Sequence, residues 1–358
     1  MGTGVTVTVQ RVCEALEPLF MSTLPIRVRL DHARPFLDGS DPTMRGFHSA
    51  IRQSSPSIRA VRDTARLDGS TIIASQQFFG LFNPSRNRTL TQWQFDTLRN
   101  ENARGIVEQA LRAALDVLSL RGRAHPIATV TAWIFPADPS NAYTMLSCHG
   151  LEAWGDTPGA VAVQLWPSRA NIARLPLVTI RALALGYRSA ITGPNSSPTF
   201  AEHLVREGLA STLVCELHAG PGAPWAIPFT RPSDWRDTLR SIAHVSGFES
   251  YADLPVNVYG VTAPAGADHL PEPPMVNAEY MALIQARCME ARGTVDPVEI
   301  AGLLYGDEPL AMNGHPVPGL PFASGFAIAY SVVSAGIRRL GCTIAEAFHL
   351  PTDELVGT

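Results

Sequence analysis

Glu207 and His203 stand four residues apart, so on a helix their side chains share one face, the minimal arrangement for a metal site or an acid–base pair. Two ligands hold a metal only weakly, because a structural or catalytic zinc takes three protein ligands or more. Cys215 and His218 continue the same helix but lie over ~10 Å further on, given the rise per residue. Other chemistry is poorly signalled. Ser147-Cys148-His149 puts a nucleophile next to an imidazole, yet adjacent residues of a strand face opposite ways. No G-x-S-x-G elbow is present, and Gly2-Thr3-Gly4 lacks the third glycine and following helix of a dinucleotide fingerprint.

The stretch that must position Glu207 runs from Leu177 to Leu217 and reads as two helices joined by a turn. An apolar first half meets the breaker Gly193-Pro194-Asn195-Ser196-Ser197-Pro198, and Phe200, Leu204, Leu209 and Leu213 then recur at near-helical spacing. Thr199 is placed to cap the second helix. Upstream, Thr3–Gln10 and Ile26–Leu30 alternate like strands, with a short helix expected over Arg11–Met21. Leu90–Leu120 reads as one long helix or two, weakened by Gly105. Ala128–Phe135 and Val161–Trp166 are strands, and Phe322–Ile337 is a buried helix, too short for a span of ~20 apolar residues. Residues 31–88 are rich in turn dipeptides and receive no assignment. Trp225–Pro274 reads as a loop-rich insertion with a short helix near Trp235–Val245.

The phrase Glu207-Gly208-Leu209-Ala210, preceded by a helix and a turn, resembles the family of predicted zinc-dependent proteases in which an HExxH helix is followed by an EGLA helix. The order strand, glycine loop, strand, helix, turn, helix strengthens the resemblance, as does Leu303-Leu304-Tyr305-Gly306 followed by a glycine- and tyrosine-bearing helix. The likeness covers roughly 128–356. In that family the two His and the EGLA Glu hold zinc and the Glu of HExxH is the general base. Here Arg181 stands at the first His, Ala182 at the Glu and Leu185 at the second His; only Glu207 remains. The resemblance therefore implies a protease frame with no metal or other cofactor and no catalytic residues. It also implies that Arg181 pairs with Glu207 where the metal would lie, since a guanidinium can balance a buried carboxylate. By position in the chain, the edge strand that receives substrate would be Val161, Ala162, Val163, Gln164 and Leu165.

Composition sets broad limits. The 358 residues, 46% of them apolar, suffice for a sizeable core. A formal net charge of -4 offers no footprint for nucleic acid. Every basic residue is Arg, with no Lys in the chain, which fits a GC-rich bacterial genome. Five Cys with no CxxC pair read as reduced thiols, and no basic-then-apolar leader opens the chain, so a cytoplasmic location is expected.

The resulting expectation is an α+β protein: a metallopeptidase-like domain over 121–358, with a twisted sheet whose edge strand lies over two core helices, preceded by a mixed region over 1–120. Its partner is a peptide added to Val161–Leu165, near Arg181, Glu207 and Tyr330, with Trp154, Trp166, Trp225 and Trp235 enlarging the recognition surface. Presenting a precursor peptide to modifying enzymes of ribosomal peptide natural-product maturation is a role similar to that of peptide-binding accessory proteins in crocagin-type pathways. Neither nucleic acid nor membrane is expected as a partner. The rival expectation is a metal-independent peptide cyclisation or rearrangement assisted by Arg181, Glu207 and Tyr330.

Overall fold

A computed structural model describes residues 24–30, 88–120, 123–138, 150–193, 197–218, 257–258, 261–262, 278–307, 310, 316–320 and 324–357. The expected strand Thr3–Gln10, the helix Arg11–Met21, the Ser147-Cys148-His149 triplet, the helix near Trp235–Val245, Trp225 and Trp235 lie outside these residues.

Elements follow in the order β1 (Ile26–Arg29), α1 (Arg88–Asn100), α2 (Ala103–Leu118), β2 (Val130–Pro136), β3 (Leu151–Trp154), β4 (Ala160–Leu165), α3 (Arg169–Thr192) and α4 (Phe200–His218). A two-residue pair, β5 (Asn257–Val258) and β6 (Val261–Thr262), is followed by α5 (Ala278–Glu290), α6 (Pro297–Tyr305), α7 (Ser324–Leu340), α8 (Ile344–Ala347) and α9 (Thr352–Val356). The stretch expected as one long helix or two is two: Asn102 takes a left-handed turn (φ 53°) that separates α1 from α2. The paired helices expected around Glu207 are α3 and α4. Ser168 caps α3 by accepting from the Asn171 N–H, and Thr199 caps α4 in a reciprocal exchange with Glu202. None of the helices among the described residues is long and apolar enough to cross a membrane.

The fold is α+β, a four-strand mixed sheet packed against helices. Strand order is β1-β2-β4-β3; β1, β2 and β4 are parallel and β3 runs antiparallel to β4. All six residues of β4 are buried, which suits a strand covered on both faces and flanked on both edges. The expectation that Val161–Leu165 is the edge strand is therefore corrected. Its backbone is engaged by β2 on one side and β3 on the other, which leaves no free ladder for a peptide. Among the described residues the outer strands of this sheet are β1 and β3.

One apolar core joins Val28 of β1, Leu111 and Leu115 of α2, Ile134 of β2, Val163 of β4, Leu183 of α3 and Leu209 of α4. The expected division at residue 120 falls within this shared core. A second core lies on the other flank of α4, where Phe200 and Leu204 meet Ile284, Leu303 and Phe326. Helix α4 thus stands between two cores, and Glu207 lies midway along it.

Candidate functional site

Close backbone contact sets the frame of the site. A Cβ on Gly155, directly after β3, would lie 1.8 Å from the Ala182 carbonyl oxygen, so the strand exit rests on α3 itself. A Cβ on Gly208 would lie 2.3 Å from the Ala329 oxygen, so only glycine lets α4 and α7 meet at that point. Buried Asn171 fixes the other end of β3, its side-chain amide donating to the carbonyls of Gly150 (3.3 Å) and Trp166 (2.9 Å). These contacts hold β3, α3 and α4 in one arrangement around Arg181 and Glu207.

The expected Arg181–Glu207 pair forms. Arg181 Nη2 donates to Glu207 Oε2 at 2.6 Å, with side chains 13% and 9% exposed. The Phe326 ring takes the guanidinium at 5.4 Å from its centroid, and Tyr305 packs edge-on against Phe326 at 5.2 Å. Burial works against the Arg181 charge, but Glu207, Tyr305 and Asp156 outweigh it and the group titrates above its ordinary value.

Around this pair lie Tyr305 and His203, both marked in the sequence, and two carboxyl groups, Glu152 and Asp156, that the sequence reading missed. Glu152, in the middle of β3, is pushed up to about 8 by burial, with Arg181 partly opposing the shift. Its Oε2 is buried and has no hydrogen-bond partner. Asp156, two residues after β3, accepts from Arg206 Nη2 one position before Glu207. Tyr305 is raised first by burial and then by Glu207, and it also feels Arg181, Asp156 and Glu152, which places its phenol in the cluster. His203 is driven down to about 4, by burial first and Arg206 second, and is neutral at pH 7.

The structure separates other expected members. Tyr330 hydrogen-bonds Cys215 and Ser334 further along α7, so the phenol beside Arg181 and Glu207 is that of Tyr305. Trp166 is fully buried and stacks at a tilt on Trp93, 5.5 Å between centroids; it is core, not a recognition surface. Trp154 is 9% exposed and belongs to the main core.

A metal needs donors that the first helix does not supply. Ala182 is fully buried and Leu185 is 4% exposed, both inside the apolar core, while the Arg181 cation stands against the lone EGLA carboxylate. Among the described residues, no group of three or more His, Cys, Asp or Glu is placed to hold a metal ion. The cluster sets two guanidiniums, three carboxyl groups and a phenol beside a strand that is outermost among the described residues. Comparison with models of protein families, with curated proteins and with solved structures finds no match to this chain.

Proposed function

We propose that the protein is a non-hydrolytic peptide-binding scaffold on a metallopeptidase-like frame, receiving an extended segment along β3 and presenting it to other enzymes. A ribosomal precursor peptide bound for modification is the partner that suits a hold-without-cutting role. The observation that carries the reading is the arrangement of β3: an outer antiparallel strand whose exit lies on α3, beside a buried Arg181–Glu207 pair.

The ladder supplies the hydrogen-bonding groups. The Trp166 N–H donates to the Gly150 carbonyl, so by antiparallel alternation Glu152 and Trp154 direct their main-chain groups to β4 while Leu151 and Ala153 direct theirs outward. Two outward residues give up to four main-chain hydrogen bonds, sequence-tolerant contacts of the kind used in β-augmentation. The adjoining polar cluster then adds selectivity.

The test is incubation of the full chain with a pooled synthetic peptide library, followed by recovery and mass spectrometry of the bound fraction. Peptides retained at unchanged mass support the reading. Shortened or cyclised products made by the purified protein favour the rival enzymatic reading, and no retained peptide overturns both.

A further inference from the structure

Four buried polar atoms around the β3 exit have no hydrogen-bond partner: Glu152 Oε2, Thr157 Oγ1, Arg181 Nε and Arg206 Nε. Buried polar groups are normally satisfied, and one left alone costs about 1–3 kcal/mol. The four belong to one neighbourhood. Arg181 acts on Glu152, Asp156 acts on Arg181 and holds Arg206, and Thr157 follows Asp156, with its carbonyl against α3 at Gly186.

We propose that this neighbourhood is a carboxylate subsite, which seats an acidic group of the bound peptide against Arg181, Arg206, Thr157 and Glu152. The proposal rests on the peptide-binding reading and names the chemistry of what is bound.

The donor inventory carries it. Each guanidinium already gives one Nη2–H to a protein carboxylate, Arg181 to Glu207 and Arg206 to Asp156, and each keeps a buried Nε–H without an acceptor. The Thr157 hydroxyl is a further donor. Glu152, raised to about 8, carries its proton at pH 7 and so offers an O–H rather than a negative charge. The site's own charges already cancel in pairs, with His203 neutral and the Tyr305 phenol protonated. Surplus donors match an acceptor-only group, and of the acceptors a peptide carries, main-chain carbonyls and carboxylates, a carboxylate makes the stronger, charge-assisted bonds to guanidinium N–H groups. An ammonium or guanidinium would add donors where donors are already in excess.

The carboxylate can come from an acidic side chain or from a free C-terminus, and one selection distinguishes them. Random decapeptides are selected on the full chain from two displayed libraries, one with a blocked and one with a free C-terminus. The expected result is enrichment of Asp or Glu at one position in the blocked library, or enrichment confined to the free library. The enriched peptide should lose at least tenfold in affinity when its acid becomes the amide. It should also bind less tightly at pH 9 than at pH 7 on the wild type, because ionised Glu152 would repel it. Glu152→Gln, which keeps a donor and cannot ionise, should bind with little change between the two pH values. Enrichment of basic or acid-free peptides, or equal affinity for acid and amide, overturns the carboxylate subsite and leaves peptide binding standing. No enrichment from either library overturns the peptide-binding reading and the subsite with it.

Discussion

Arg181 and Glu207 meet at 2.6 Å across the interface of α3 and α4, and each is the other's buried counter-charge. Removing one member strands the other in a low-dielectric setting, which costs about 3–5 kcal/mol in comparable pairs. Arg181→Ala should therefore lower unfolding free energy by that order. The double change Arg181→Leu with Glu207→Gln should cost less than the sum of the two single changes, read by denaturant titration. Additive, near-zero effects would show that the pair contributes no coupling.

Proline scanning tests the β3 ladder. Ala153 directs its N–H away from β4, and proline is tolerated on an edge strand whose N–H faces outward. Ala153→Pro should fold with nearly unchanged melting temperature and lose peptide affinity tenfold or more. Glu152→Pro cuts the bond to β4 and should destabilise the fold itself. Unchanged affinity in a folded Ala153→Pro protein would remove β3 as the receiving strand.

Titration of Glu152 links stability to pH in a defined direction. Its native pKa of about 8 stands above the ordinary 4.5, so between these values the native state holds more protons than the unfolded one and stability falls as pH rises. His203, lowered from 6.5 to about 4, acts oppositely, adding stability as pH rises from about 4 to 6.5. From pH 6.5 to 8 the Glu152 slope is no longer opposed by His203, approaching about 1.4 kcal/mol per pH unit for one proton. Unfolding free energies across this window should decline for wild type and stay flatter for Glu152→Gln. Parallel curves would show that Glu152 ionises normally.

Helix α4 depends on Gly208 for its contact with α7. An added methyl would meet the Ala329 oxygen at 2.3 Å and Val333 Cγ2 at 2.4 Å, and backbone cannot yield as a side-chain tip does. Gly208→Ala should cost about 1–3 kcal/mol or more. Thermal unfolding should show the loss; a neutral result would mean that the two helices separate freely.

Local pattern makes much of this molecule legible in its sequence. The apolar spacing of α3, α4 and α7, the Thr199 cap and the strands β2 and β4 each follow from contiguous residues. The Arg181–Glu207 pair was also legible, through the resemblance that EGLA carries. Strand order was not, because pairing is decided by distant segments. Yet β4 held a usable clue: Ala160–Leu165 is almost wholly apolar, the mark of an interior strand rather than a solvated edge. β3 escaped notice since Leu151-Glu152-Ala153-Trp154 is only four residues long and carries a carboxyl mid-strand. The sequence reading names Tyr330 for the site, but packing against Phe326 puts Tyr305 there, while Tyr330 is taken up by Cys215 and Ser334; nothing local in sequence distinguishes the two phenols.

The contact between Gly155 and the Ala182 carbonyl limits what point substitution could build at this place. Placing His, Glu and His at positions 181, 182 and 185 would write the letters of a metal helix into α3. It would also bury a carboxylate at a fully enclosed alanine and replace Leu185 inside the core. Because the strand exit rests on the α3 backbone at this point, making room for a metal site there would require moving backbone as well as changing side chains.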